Sequence, residues 1–267
     1  MLRRAKQLIK RVLHAVAPQT TTARLSARAR AGSHRLYEEW GLPRLNRKLI
    51  ERFGSAVQTG PFRGMVLSPM THREHIGPFL LGTYESELHP WLEAVVARGC
   101  SQILDVGAKF GYYAVGLSRR VPGTPVLAFD TDWWARAATR EMVAANNTPD
   151  VRPEGYCSPR WLDRGLRPDS FILSDCEGYE GELFVRATTL ALESATLLVE
   201  IHDNIVPGVG AAVRERFART HRADTVATGE RAPRVPDLNF LTPDEAATAV
   251  REYRDPQEWV LLTPRGQ

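Results

Sequence analysis

The stretch ILDVGAKFGYY, residues 103–113, limits the possible folds more than any other part of the chain. Ile103-Leu104-Asp105-Val106 is apolar enough for a short buried strand, residues 107–111 read as a turn, and a helix starts near Tyr112. A glycine turn of this kind brings a ligand close to the backbone, because glycine lacks a Cβ and tolerates positive φ. Spacing then separates the candidate ligands. A dinucleotide fingerprint is G-x-G-x-x-G, with its second glycine against the pyrophosphate. Here the pattern is D-x-G-x-x-x-G, and Lys109 stands where that second glycine would be.

Four more strand candidates follow. Val126-Leu127-Ala128-Phe129 ends in Asp130, at roughly the 20-residue distance from the first strand where an open α/β site places a ribose-binding acid. A run from Val151 to Tyr156 ends at Cys157-Ser158, and Ser170–Ser174 ends in Asp175-Cys176-Glu177-Gly178-Tyr179-Glu180. Ala195–Ile201 ends in His202-Asp203. All five candidates end in polar or ionisable residues, and doubly wound sheets bind ligands outside the carboxyl ends of their strands. The pattern predicts one composite site. A cofactor without phosphates suits it best, one whose charged parts are an amino-acid end and a sulfonium: S-adenosylmethionine.

The segments DVGAKFGYY, AFDTD, ILSDCEGYEGELF and LLVEIHD, in this order, resemble FkbM-type methyltransferases, a class I S-adenosylmethionine-dependent group. The upstream piece GPFLLGTYESELHPWLE, residues 77–93, is similar to the segment preceding the family's first strand. The resemblance covers residues 60–205 well and the tail to 267 loosely. It implies an α/β class I methyltransferase (Rossmann-like) fold: a seven-stranded, mostly parallel doubly wound sheet with an antiparallel terminal pair. It also implies O-methylation of a hydroxylated small molecule, sugar or glycan. The family carries Asn or His where this chain has Lys109.

Within that frame, Asp105, Gly107, Ala108 and Gly111 are the expected cofactor cradle, with Asp130 on the ribose and Cys157 and Ser158 beside the adenine. Asp132 is a weaker alternative to Asp130. Tyr84 and Glu85 either close over the cofactor or, for Glu85, start a helix. Asp175 and Glu177 are read as site carboxylates, Glu180 as the start of a helix where a carboxylate meets the positive dipole end. Alternation on the fifth strand puts Leu198, Glu200 and His202 on one face and Leu197, Val199 and Ile201 on the other. His202 titrates near neutrality and is the expected general base, ahead of the more remote His221. Asp175, Glu177, His202 and Asp203 are together compatible with a divalent cation. Hydrogen bonding to acceptor hydroxyls is the preferred reading, so no metal is assigned.

The chain is 43% hydrophobic and 25% charged, ordinary for a globular protein, and no apolar run approaches the ~18 residues that span a membrane. Three cysteines without C-x-x-C spacing indicate neither a disulfide framework nor zinc, and suit a reducing, cytoplasmic compartment. The net charge of +4 conceals an asymmetry: residues 1–53 carry 13 Lys/Arg against 3 Asp/Glu. Residues 1–53 are therefore expected to form a basic helical extension and tether, and residues 54–267 the methyltransferase domain. Leu2, Leu8, Ile9, Val12, Leu13 and Val16 share one face of a predicted helix over residues 1–17, opposite a basic face. Peripheral contact with the inner face of a membrane, docking on a partner, and packing on its own domain or a second copy are its open readings. Nucleic acid is disfavoured, since no basic–aromatic patch continues into the domain. Further expectations are a second helix from His34 to Phe53 broken near Gly41-Leu42-Pro43, a hairpin over Gly60–Leu67, and a helix over Glu85–Arg98 capped by Gly99. At the C-terminal end they are a helix from Ala211, a strand near Asp224, a helix over Pro243–Glu252 and a last strand at Trp259–Thr263. A catalytically idle cofactor-binding adaptor, recruited through the basic segment and motivated by Lys109, is the rival reading. Oligomeric state has no signature in the sequence.

Overall fold

The computed structural model describes residues 37–228, 237–253 and 256–266. The predicted helix over residues 1–17, and the start of the second helix at residues 34–36, lie outside them. Within the described residues one sheet holds seven strands in the order β3-β2-β1-β4-β5-β7-β6. They are β1 (Ile103–Val106), β2 (Val126–Phe129), β3 (Val151–Glu154), β4 (Phe171–Ser174), β5 (Thr196–Ile201), β6 (His221–Ala227) and β7 (Glu258–Pro264). The first five are parallel, while β7 inserts antiparallel between β5 and β6. Each of the five expected parallel strands is present to within two residues, as is the antiparallel terminal pair.

β1, β2, β4 and β5 are buried along their whole length because helices cover both faces. Strand alternation divides the core in two. Ile103, Phe171, Leu173, Leu198, Trp259 and Leu261 face one apolar cluster, covered by α1 (Leu42–Phe53), α2 (Gly77–Leu81), α3 (His89–Arg98), α4 (Tyr112–Arg120) and α5 (Trp133–Asn146). Leu104, Val106, Ile172, Leu197, Val199 and Ile201 face the other, covered by α6 (Pro159–Gly165), α7 (Glu180–Arg186), α8 (Ala191–Ser194) and α9 (Val209–Phe217). The partition of β5 is the one its period-two pattern predicts.

Three expectations change. α1 starts at Leu42 and buries Leu42, Leu45 and Leu49 in the first cluster, so a boundary after residue 53 cuts through a packed unit. Apolar side chains three to four residues apart give this helix a face that only the domain core covers. The hairpin expected over Gly60–Leu67 shifts toward the N-terminus: residues 55–57 face 64–67 around one antiparallel bridge, Ala56 to Val66, with Val57 N–H donating to Met65, Gly64 N–H to Val57 and Leu67 N–H to Ser55. Pro61 offers no N–H to a ladder, and Gly60 and Gly64 take positive φ in a compact loop instead. The helix expected from Glu85 begins as a 3-10 turn at Ser86–Leu88 and becomes α-helical at His89; Gly99 ends it as expected. The last helix, α10 (Pro243–Val250), carries a full capping box between Thr242 and Glu245.

Candidate functional site

The order β2-β1-β4 puts the chain reversal of the sheet between β1 and β4, where connections leave in opposite directions and a crevice opens. Gly107 follows β1 at that point with φ +92°, and a Cβ there would collide with the carbonyl oxygen of Asp175 at the end of β4. Asp175 in turn donates its N–H to the Val106 carbonyl at 2.8 Å. The glycine is thus needed for the close approach of two strand ends.

The amides of this loop are already spent. Gly107 and Ala108 both donate to the Phe129 carbonyl, at 2.9 and 3.0 Å, and Gly111 donates to Ala108. Lys109 donates to Asp130 Oδ2 at 2.9 Å, and Ala114 to Asp105 Oδ2 at 3.0 Å. Asp105, only 1% exposed, therefore fastens the first turn of α4. Burial pushes its carboxyl up to about 8; the Ala114 N–H opposes this, and the charges of Asp175, Asp130 and Glu85 add to it. Ala108 is buried and Gly111, at φ +80°, packs against Thr139.

Asp130 accepts Lys109 N–H through one oxygen and Asp132 N–H through the other, the latter at 2.8 Å. Each carboxylate oxygen keeps a second lone pair for a hydroxyl donor. Burial raises its pKa to about 6 against the pull of those two N–H groups. Asp132 caps α5 by accepting Trp134 N–H at 3.0 Å. Lys109 takes a left-handed conformation, φ +49°, and its ammonium leaves the loop toward Glu74 Oε2 at 3.3 Å, over the rings of Phe79 and Phe110. Desolvation opposes its charge, but Glu74 wins and holds its pKa above the ordinary value. Nothing in this arrangement blocks the cradle.

Tyr84 joins an aromatic group with Phe79, Tyr112 and Tyr113. Glu85 is fully buried at φ +47° and makes no helix-cap bond. Its carboxylate accepts the Tyr113 hydroxyl, and its N–H donates to Glu252 Oε1 at 2.8 Å. Cys157 is buried, and burial alone pushes its thiol up. The Ser158 hydroxyl accepts Trp161 N–H and caps α6, which keeps its O–H donor and its backbone groups for other partners.

Beyond β4 and β5 the side chains converge on His202, itself 1% exposed. Its Nδ1 lies 2.8 Å from Glu180 Oε1; its Nε2 lies 3.4 Å from Asp175, 3.5 Å from Glu200 and 3.9 Å from Glu177. Burial works against the imidazolium, but the bonds to Asp175 and Glu180 outweigh it and raise the pKa to about 11. Four carboxylates thus surround the ring expected to act as general base, where the sequence shows one beside it. Glu177, at φ +57° with a side chain 77% exposed, reaches furthest out. Desolvation at the sheet edge and then the charge of Asp175 raise its pKa.

Asp203 does not join the cluster. Its Oδ1 accepts Gly210 N–H at 3.1 Å, tying the start of α9. Glu200 takes its place, and alternation along β5, which put Glu200 and His202 on one face, is the signal that points to it. Glu180 does start α7, as expected, but its fully buried carboxylate also holds Cys176 N–H at 3.1 Å and the His202 ring. His221 bonds the Ala195 carbonyl and Thr220, away from this edge.

No protein-family model and no curated protein matches the chain. Among solved structures it is similar to an O-methyltransferase from Bacillus cereus in complex with SAH, at 16% identity and TM-score 0.44 over 82% of this chain and 90% of that one. It is also similar to the O-methyltransferase TomG from Streptomyces achromogenes in complex with SAM, at 17% identity and TM-score 0.43 over 66% and 80%. A precorrin-6y C5,15-methyltransferase from Geobacter metallireducens gives 14% identity and TM-score 0.41 over 66% and 89%. Likeness at this level bears on neither acceptor nor catalytic residues.

Proposed function

We propose that this chain is an S-adenosylmethionine-dependent methyltransferase of the FkbM type, acting on a hydroxyl of a small molecule, sugar or glycan. The observation that carries the reading is the state of the cradle. The amides of Gly107, Ala108, Lys109, Gly111 and Ala114 are committed inside the fold, so few N–H groups are left for a pyrophosphate. Glu85, Asp130 and Asp175 all act on the buried Asp105, which marks the crevice as acidic, and an acidic crevice repels phosphate and attracts a sulfonium and an ammonium. Asp130 would hold the ribose hydroxyls, and backbone groups at Cys157 and Ser158 the adenine. When bound, S-adenosylmethionine supplies a methyl group on a positively charged sulfur, which departs as a neutral thioether.

The protein's part is positioning and proton removal. Glu177 projects furthest from the sheet edge, with an exposed side chain, and takes the acceptor's hydroxyl proton as the oxygen bonds to the methyl carbon. The Lys109 ammonium is paired with Glu74, which takes away the motive for an idle adaptor. The test is transfer of radiolabel from methyl-labelled S-adenosylmethionine to hydroxylated sugars and small molecules, with Glu177→Gln slower by ~10²–10⁴-fold. A protein that binds the cofactor and labels none of a broad acceptor panel would be an adaptor instead.

Among the described residues no helix is long and apolar enough to cross a membrane. Peripheral contact through residues 1–17 rests on their charge and pattern, and predicts salt-sensitive co-sedimentation with anionic vesicles. Equal binding to neutral vesicles would exclude it.

A further inference from the structure

The His202 cluster contains more negative charge than a methyl-transfer site needs. Asp175, Glu177, Glu180 and Glu200 surround one imidazole, and His202, Glu180 and Glu200 have almost no exposed surface. Such groups stay buried only when a cation accompanies them. Of the two ring nitrogens, Nδ1 is satisfied: at 2.8 Å it donates to Glu180 Oε1, which the Cys176 N–H fixes from the other side. A carboxylate in this position fixes the ring and turns Nε2 toward Asp175 and Glu200, which is how metal-binding histidines are held; a bound ion would displace the Nε2 proton.

At Nε2 the spacing also suits a shared ion. Asp175 Oδ1 and Glu200 Oε2 lie 3.4 and 3.5 Å away, beyond the ~2.7–3.2 Å of a good N–H···O bond. Ligand atoms each about 2.1 Å from one ion sit ~3.0 Å apart at right angles and ~3.4 Å apart at the tetrahedral angle. The three ligand atoms all lie within 4.8 Å of one another. Glu180 Oε2, in a residue without exposed surface, has no hydrogen-bond partner, so the carboxylate behind the ring is not neutralised elsewhere.

We propose that Asp175 Oδ1, Glu200 Oε2 and His202 Nε2 are the protein ligands of a divalent cation, with Glu180 as the residue that orients the histidine. Two carboxylates and one imidazole select a first-row transition ion such as Mn²⁺, Fe²⁺ or Zn²⁺ over an all-oxygen preference for Ca²⁺ or Mg²⁺. Three protein ligands leave a position open toward Glu177 and the crevice. Its role in the reaction rests on the methyl-transfer reading. The acceptor hydroxyl oxygen coordinates the ion and its proton passes to Glu177. The oxygen pair then forms the bond to the methyl carbon as the carbon–sulfur pair returns to sulfur, and the ion is unchanged.

The test uses full-length protein stripped with EDTA and dialysed, then titrated with MnCl₂ while the free-ion electron paramagnetic resonance signal is followed. Wild type is expected to take up about one Mn²⁺ per chain and to release it to ZnCl₂. Asp175→Asn and Glu200→Gln should weaken binding more than ~10-fold, Glu180→Gln by ~10–100-fold, and Asp203→Asn should leave it unchanged. Calorimetry with S-adenosylhomocysteine on wild type and Glu200→Gln reports the cofactor site separately, and circular dichroism shows that each variant is folded. Wild type that binds S-adenosylhomocysteine but takes up no Mn²⁺ at about 1 mM overturns the metal site and leaves the methyl-transfer reading standing. Uptake that survives both ligand substitutions overturns it equally.

Discussion

Asp130 and Asp105 are both acids at strand ends, yet the fold uses them differently. Asp130 spends one lone pair per oxygen on loop amides and keeps the rest for a ligand. Asp130→Ala should therefore weaken S-adenosylhomocysteine binding by about 1–3 kcal/mol, measured calorimetrically; unchanged affinity would remove Asp130 from the ribose role. Because its pKa lies near 6, the same affinity should decline as pH falls from 7.5 to 5. Asp105 works inward, on Ala114 N–H. Its folded pKa of about 8 exceeds that of a free carboxylate, so between about pH 4 and 8 the folded state keeps a proton that the unfolded state releases. That difference makes stability fall as pH rises through the window. Asp105→Asn keeps the acceptor without the titration, and its melting temperature should gain on wild type as pH rises from 5 to 8.5. A parallel pair of pH curves would contradict this. The sequence placed both acids at the right edge, since an apolar strand followed by Asp is a local pattern. Alternation put Glu200 beside His202, but the sequence did not reveal Glu180 against the same ring, because that contact forms only where β5 and α7 meet.

At the scale of elements, β1 and β4 are joined by more than their ladder. The Gly107 turn lies against the Asp175 carbonyl, so the cradle and the acidic cluster share one contact. Gly107→Ala would force the two strand ends apart and lose the left-handed turn at once. A cost on the order of 4 kcal/mol is expected, which at ~2–4 °C per kcal/mol lowers the melting temperature by roughly 8–16 °C. A variant within about 2 °C of wild type would mean the strand ends are not coupled through this turn. The strands themselves were legible because four of them are apolar on both faces and stop at polar residues. The 60–67 hairpin was misplaced: its partner strand is residues 55–57, upstream of the turn residues, and three backbone bonds join it to 64–67.

For the whole molecule, the α/β class, the parallel half of the sheet and its carboxyl-edge site follow from five strand ends that share one chemistry. The antiparallel β5-β7-β6 arrangement followed only from the family resemblance, since two edge-region strands near the C-terminus fix no order by themselves. The division at residue 53 was drawn from charge, whereas packing continues through α1, whose apolar face was hidden among arginines. All of the functional account depends on the turn after Asp105 accepting a sulfonium nucleoside and refusing a pyrophosphate. Isothermal titration calorimetry of the purified chain with S-adenosylhomocysteine and, separately, with NADH decides it. Saturable one-site heat with S-adenosylhomocysteine and none with NADH is the predicted result; heat with NADH alone would contradict it.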